Sequence, residues 1–210
     1  MAVPSRDEMY AALEARHGAE LQRKISAASV AVCGLGGLGS NIAIMLARAG
    51  IGRLHLIDFD RVDLSNMNRQ QYFVRQLGMF KTEALRDTLR DIAPYCKIDI
   101  DTVRITEDNI VTLLQNEDII CEAFDNAECK AMLVNGVLEN MPQKYLTAAS
   151  GMAGLSSANE ITTRRITEHF YLCGDGSSDV ADGIGLVSTR VTVCAAHEAH
   201  AIIKIIERKF

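Results

Sequence analysis

Residues 31–40 read AVCGLGGLGS, a β-branched run that turns directly into glycines. Ala31 to Cys33 fit a buried strand, and Gly34, Gly36 and Gly39 form G-x-G-x-x-G ahead of the helix-like SNIAIMLARAG. Glycine permits a tight turn and close backbone approach, and the free N–H groups of a helix start attract phosphate. The stretch therefore predicts strand, phosphate-binding turn and helix. It does not say whether the phosphate belongs to a dinucleotide or to another nucleotide.

Outward from this turn, strands and helices alternate, which predicts an α/β fold: a Rossmann-like, doubly wound and mainly parallel sheet. Residues 5–27 read as an amphipathic helix weakened at Gly18. Strand 29–33 leads to helix 39–49, stopped by Gly50 and Gly52, and the strand RLHLIDFD follows from residue 53. Helix 79–92 ends before Pro94, followed by a strand near 97–103, a short helix from 107, strand 118–121, helix 127–140 and strand 144–149. Beyond these, SSANEITTRRITEHFYLC alternates polar and apolar residues, as antiparallel strands at the far end of the sheet do. A glycine- and aspartate-rich loop, GDGSSDVADGIG, and a closing helix complete the chain. No linker or repeat divides it, so one unit is expected over 1–210: N-terminal helix 1–27, nucleotide-binding core 28–150, and antiparallel strands, loop and helix over 151–210.

With 210 residues, 48% of them hydrophobic, the chain can bury a sizeable core. The net charge of −5 gives no bulk support for nucleic-acid or anionic-membrane binding, and neither partner is expected. The charged N-terminus lacks the apolar stretch of a signal peptide, which predicts a cytoplasmic protein. No two of the six cysteines form C-x-x-C, so no structural zinc is expected. Cys33, Cys121 and Cys194 lie in apolar runs and read as core, whereas Cys173, beside glycines in YLCGDG, is a candidate reactive thiol. His197 and His200 share a helix face but have no evident third ligand, and read as ordinary helix residues.

A second cluster addresses the nucleotide. Asp58 stands at a strand end nineteen residues after Gly39, where a carboxylate can accept hydrogen bonds from ribose hydroxyls. Asp60, Asn66 and Arg69 crowd the next residues, with Lys81 beyond. A dinucleotide site needs no such pair of cations at its pyrophosphate. A triphosphate attacked at its α-phosphorus does, because charge develops on phosphoryl oxygens and on leaving pyrophosphate. Singly, Arg69 and Lys81 read as surface cations; with the glycine turn and Asp58 they read as a site.

These segments carry a resemblance. GLGGLGS (34–40), LIDFDRVDLSNMNRQ (56–70), GMFKTEAL (78–85) and CEAFDNAECK (121–130) resemble, in order, the motifs of the ubiquitin-activating-enzyme-like family, in particular the ThiF/MoeB/HesA adenylyltransferases. The resemblance covers about residues 26–150, and the ending is similar to the compact ThiF-like branch tied to thiamine biosynthesis. It implies that Gly34, Gly36, Gly37 and Gly39 wrap the ATP phosphates and that Asp58 takes the ribose. Asn66, Arg69 and Lys81 would contact the triphosphate, and Asp125 would hold magnesium, assisted by Asp60; an N-cap is the alternative role for Asp125. Arg16, or Arg23 in its place, would reach the ATP of a partner subunit, in a homodimer whose buried faces come from helices 39–49 and 191–206.

The implied reaction is adenylation of the C-terminal Gly-Gly carboxylate of a ubiquitin-like sulfur carrier protein. Related readings are a molybdopterin carrier or threonylcarbamoyladenosine of transfer RNA as substrate. An NAD-dependent oxidoreductase would use the glycines and Asp58 but leave SNMNRQ and Lys81 idle; a non-catalytic nucleotide sensor would bind ATP without turnover.

Overall fold

A computed structural model of the chain describes residues 3–209. Helices α1 (Arg6–His17) and α2 (Ala19–Ala27) precede strand β1 (Ser29–Cys33), helix α3 (Gly37–Arg48) and strand β2 (Arg53–Ile57). Then follow α4 (Lys81–Ile92), β3 (Lys97–Asp101), α5 (Ile110–Leu114), β4 (Ile119–Glu122), α6 (Ala127–Asn140) and β5 (Tyr145–Ala149). Strands β6 (Thr162–Arg165) and β7 (Phe170–Gly174) and the long helix α7 (Ser188–Lys209) complete the order.

The seven strands form one sheet in the order β3-β2-β1-β4-β5-β7-β6. Strand β1 pairs parallel with β2 on one side and β4 on the other, and both its faces are covered, which is why Val30–Cys33 are all apolar and fully buried. Direction of winding reverses between β1 and β4, and a doubly wound sheet opens a crevice at that point, outside the carboxyl ends of its strands.

Several boundaries depart from expectation for local reasons. The N-terminal helix is two helices, because Gly18 takes φ 91° and its N–H turns back to the Glu14 carbonyl. Helix α3 starts at Gly37, not at 39, so two of the glycines form its first turn. The short helix begins at Ile110 because the Asn109 side chain closes the preceding turn, accepting from Thr106 N–H and donating to the Arg104 carbonyl. Among the named strands of the described residues β6–β7 is the antiparallel pair: β7 joins β5 in parallel, so the hairpin hangs its outer strand on the sheet edge.

Helix α3 packs chiefly against α7, and Ile42, Leu46, Cys194, Ala195 and Ile202 are fully buried in the shared core. Each such aliphatic side chain contributes about 1.5–3 kcal/mol. Much of the apolar surface expected to serve a dimer is thus covered within the chain, while Ile44, Met45, Val193 and Ile203 are only partly buried. Among the described residues no helix is long and apolar enough to cross a membrane.

Candidate active site

A cavity of about 450 Å³ lies at the switch point, lined by Gly34, Gly36, Gly37, Asp58, Asp60, Arg69, Gln70, Lys81, Asp125 and Lys130 among others. Its floor is the glycine turn. Gly34 takes φ 93°, and a Cβ there would come within 2.9 Å of the Ala123 carbonyl and the Phe124 ring. A Cβ on Gly39 would sit 1.9 Å from the Gly34 carbonyl oxygen. Gly39 therefore lets α3 sit directly on the end of β1 and does not line the cavity itself. No side chain caps α3 at Gly36, so the first-turn N–H groups remain available to an anion.

Asp58 is 8% exposed and holds the turn from the β2 side: Oδ2 accepts from Leu35 N–H (2.6 Å) and Oδ1 from Asp60 N–H (2.7 Å). Burial pushes its pKa up, partly countered by Lys81 and those two N–H groups. Lys81 is 4% exposed, with Nζ 2.9 Å from Asp60 Oδ2, so it is a buried cation facing a half-exposed carboxylate at the cavity wall. A solvent-facing lysine on α4 is thereby excluded. Arg69 donates from Nη1 to Asn68 Oδ1 (2.9 Å), while its Nε is buried without a partner among the described residues.

Not every expected residue reaches the cavity. Asn66 stands behind it, its Oδ1 accepting from Gln70 Nε2 (2.9 Å) and its Nδ2 donating to Ser65 Oγ. Asp125 does line the wall, exposed, and the N-cap of α6 is its neighbour Asn126, which accepts from Cys129 N–H. Arg16 is exposed on α1, far from the glycine turn in the fold: Leu13 of the same helix packs beside Gly50, at the opposite end of α3. Within one chain it does not line the cavity. Cys173 is core and not reactive surface: it is 1% exposed in β7, and burial pushes its thiol up to about 12. His197 shares a hydrogen bond with Thr163 Oγ1 (3.1 Å).

Three cavity-side features had no mark in the sequence. Lys130 lines the wall and pairs with the fully buried Glu122 (2.9 Å). Glu122 Oε1 also accepts from Phe124 N–H (2.7 Å), so this carboxylate ties both ends of the loop carrying Asp125. Burial raises the Glu122 pKa, and Lys130 opposes that rise. Gln70 is the third: it is adjacent to Arg69 in sequence, yet nothing in SNMNRQ distinguishes a wall residue from a surface amide.

An uncapped helix start, a strand-end aspartate and two cations around one cavity define an α/β nucleotide-binding protein. The ThiF family profile matches residues 10–209, and the chain belongs to that family. It is 34% identical over 200 residues to the adenylyltransferase and sulfurtransferase MOCS3 of Anopheles gambiae, covering 90% of this chain and 44% of that protein. To ubiquitin-like modifier-activating enzyme 5 of Caenorhabditis elegans it is 40% identical over 123 residues, covering 53% of this chain and 29% of that protein. The chain spans less than half the length of these relatives. In fold it is similar to the ATP complex of Escherichia coli tRNA N6-threonylcarbamoyladenosine dehydratase, TcdA (TM-score 0.88, 22% identity, 99% of this chain and 98% of that one). It is also similar to E. coli MccB bound to MccA-N7isoASN (TM-score 0.70, 21% identity, 90% and 60% covered).

Proposed function

We propose that this protein adenylates the C-terminal Gly-Gly carboxylate of a ubiquitin-like sulfur carrier protein, in the cytoplasm and in the thiazole branch of thiamine biosynthesis. The observation that carries this is the placement of Arg69 and Lys81 on one cavity with the uncapped start of α3. A carboxylate oxygen of the carrier attacks the α-phosphorus of ATP; the bond from that phosphorus to the bridging oxygen breaks, and pyrophosphate leaves. The attacking carboxylate is already ionised near neutral pH, so no side-chain base is required. Arg69, Lys81 and the α3 N–H groups stabilise the charge that builds on phosphoryl oxygens, and the cavity wall positions the reactants.

A magnesium ion fits the donor set. Asp125 presents an exposed carboxylate on the wall without an ion pair among the described residues, and Mg²⁺ is commonly held by one or two carboxylates with phosphate and water oxygens. Bound there, it would neutralise phosphate charge. Asp60 is a weaker candidate, being engaged by Lys81. A homodimer belongs to the same reading, with Arg16 offered to the partner's ATP; monomeric sedimentation at micromolar concentration would remove both ideas.

The test is ATP–pyrophosphate exchange with and without a ubiquitin-like protein ending in Gly-Gly, with the carrier followed by mass spectrometry. Carrier-dependent exchange and a mass gain of one AMP are expected. Exchange driven by transfer RNA instead would replace the carrier with a nucleic-acid substrate, and tight NADH binding without ATP binding would overturn the adenylation reading.

A further inference from the structure

Two polar atoms of consecutive cavity-lining residues go unanswered by the protein: Nε of Arg69 and Oε1 of Gln70 are both buried without a hydrogen-bond partner among the described residues. Gln70 is 7% exposed, and its Nε2 is occupied by Asn66 Oδ1. The same amide stands over the phosphate turn, 3.8 Å from where a Cβ on Gly36 would be. Leaving a buried acceptor unpaired costs about 1–3 kcal/mol, so such a group in a binding cavity calls for a ligand that supplies the partner. The terminal torsion of glutamine is soft, and its carbonyl can turn toward an arriving donor without backbone movement.

What supplies the partner is constrained by chemistry. Phosphate and carboxylate oxygens only accept, so they answer Arg69 Nε and leave Gln70 Oε1 unpaired. The ribose hydroxyls are donors, but the family resemblance gives them to Asp58, at the end of β2. A carboxylate that follows an amide presents both needed functions a few ångströms apart: oxygens for the guanidinium and an N–H for the glutamine carbonyl. We propose that Gln70 reads the amide N–H adjoining the reacting carboxylate, so that the site selects the carboxylate of a peptide C-terminus over a simple carboxylic acid. This inference rests on the adenylation reading and names the substrate feature that the site recognises. A site built to hydrogen-bond a substrate N–H rejects analogues lacking it, because its own buried group is then stranded.

The test uses two intermediate mimics, 5′-O-sulfamoyladenosine acylated with N-acetylglycylglycine and the same compound with N-methylglycine as the residue next to the sulfamoyl group. Both are titrated calorimetrically into the wild-type protein and into Gln70→Leu. The wild type binds the N–H compound about tenfold more tightly than the N-methyl compound, a difference of about 1.4 kcal/mol. Gln70→Leu brings the two within about twofold of one another while its circular dichroism matches that of the wild type. Gln70→Glu keeps an acceptor and keeps the preference, which preserves the test should Gln70→Leu fail to fold. Equal binding of the two compounds by the wild type, or a preference that survives Gln70→Leu, overturns the inference. Failure of ATP and of both compounds to bind would instead overturn the adenylation reading.

Discussion

Two charged clusters sit on the same sheet and are built in opposite ways. On β2 and β3, Arg53 meets Asp99 (2.6 Å) and the buried Glu117 (3.1 Å), and His55 lies between Asp101 (2.8 Å) and Glu117 (3.3 Å). Each cation there has its anions within the chain, although His55 Nδ1 and both Glu117 oxygens make no hydrogen bond among the described residues. Burial would lower the His55 pKa, but Glu117 and Asp101 hold it above its ordinary value. At the carboxyl ends of the strands the pattern is incomplete among the described residues: Asp125 has no cation, Arg69 Nε and Gln70 Oε1 have no hydrogen-bond partner, and no side chain caps α3. A cluster whose charges are paired away from any cavity supports the fold; unpaired charges around a cavity await a ligand.

The strongest way to break this contrast is to remove the cavity cations. Arg69→Ala and Lys81→Ala should each lower pyrophosphate exchange by about 10²–10³-fold, the usual loss for a preorganised charge-stabilising donor. Circular dichroism should be unchanged, and near-normal exchange would strip these residues of their role.

Glu198 sharpens the contrast, because it is an unanswered group outside the cavity. It is fully buried under β4 and β5, with Oε1 accepting from Thr147 Oγ1 and the Cys121 thiol and Oε2 without a hydrogen-bond partner among the described residues. Burial, with the nearby Glu122 charge, raises its pKa from 4.5 to about 7. Between these values the unfolded chain releases a proton that the folded chain keeps, so stability falls as pH rises from 4.5 to about 7 and this contribution is flat above. Glu198→Gln should therefore gain stability relative to wild type on moving from pH 5 to pH 8, by at most about 3 kcal/mol. Urea midpoints at the two pH values measure it, and an identical difference at both would show that Glu198 does not titrate in this range.

The smallest effect belongs to the paired cluster. Arg53→Met should cost about 2 kcal/mol of stability, less than a fully buried pair because Arg53 retains 25% side-chain exposure, and should leave exchange within about twofold. A large loss of exchange with little destabilisation would join the two clusters functionally and erase the distinction.

Much of this architecture was legible in the residues. The turn at 34–39 and helix Ala127–Asn140 match expectation because glycine and periodic apolar spacing act locally. The parallel docking of β7 on β5 was not legible, since partner choice between distant strands leaves no local trace. Arg69, Lys81 and Asp125 could be read as a group because separate motifs pointed to one chemistry. Gln70 and the Glu122–Lys130 pair could not: their importance lies in burial and in which atoms lack partners, and both are properties of the assembled chain.

In the proposed reaction a carboxylate attacks the α-phosphorus of ATP in this cavity. This step is tested most directly with a ubiquitin-like protein ending in Gly-Gly whose terminal carboxylate carries ¹⁸O. After turnover and hydrolysis of the acyl-adenylate, AMP should contain one ¹⁸O on phosphorus, and Arg69→Ala should yield about 10²–10³-fold less labelled AMP in the same time. ATP consumed to ADP and unlabelled phosphate, or AMP free of label, would contradict it.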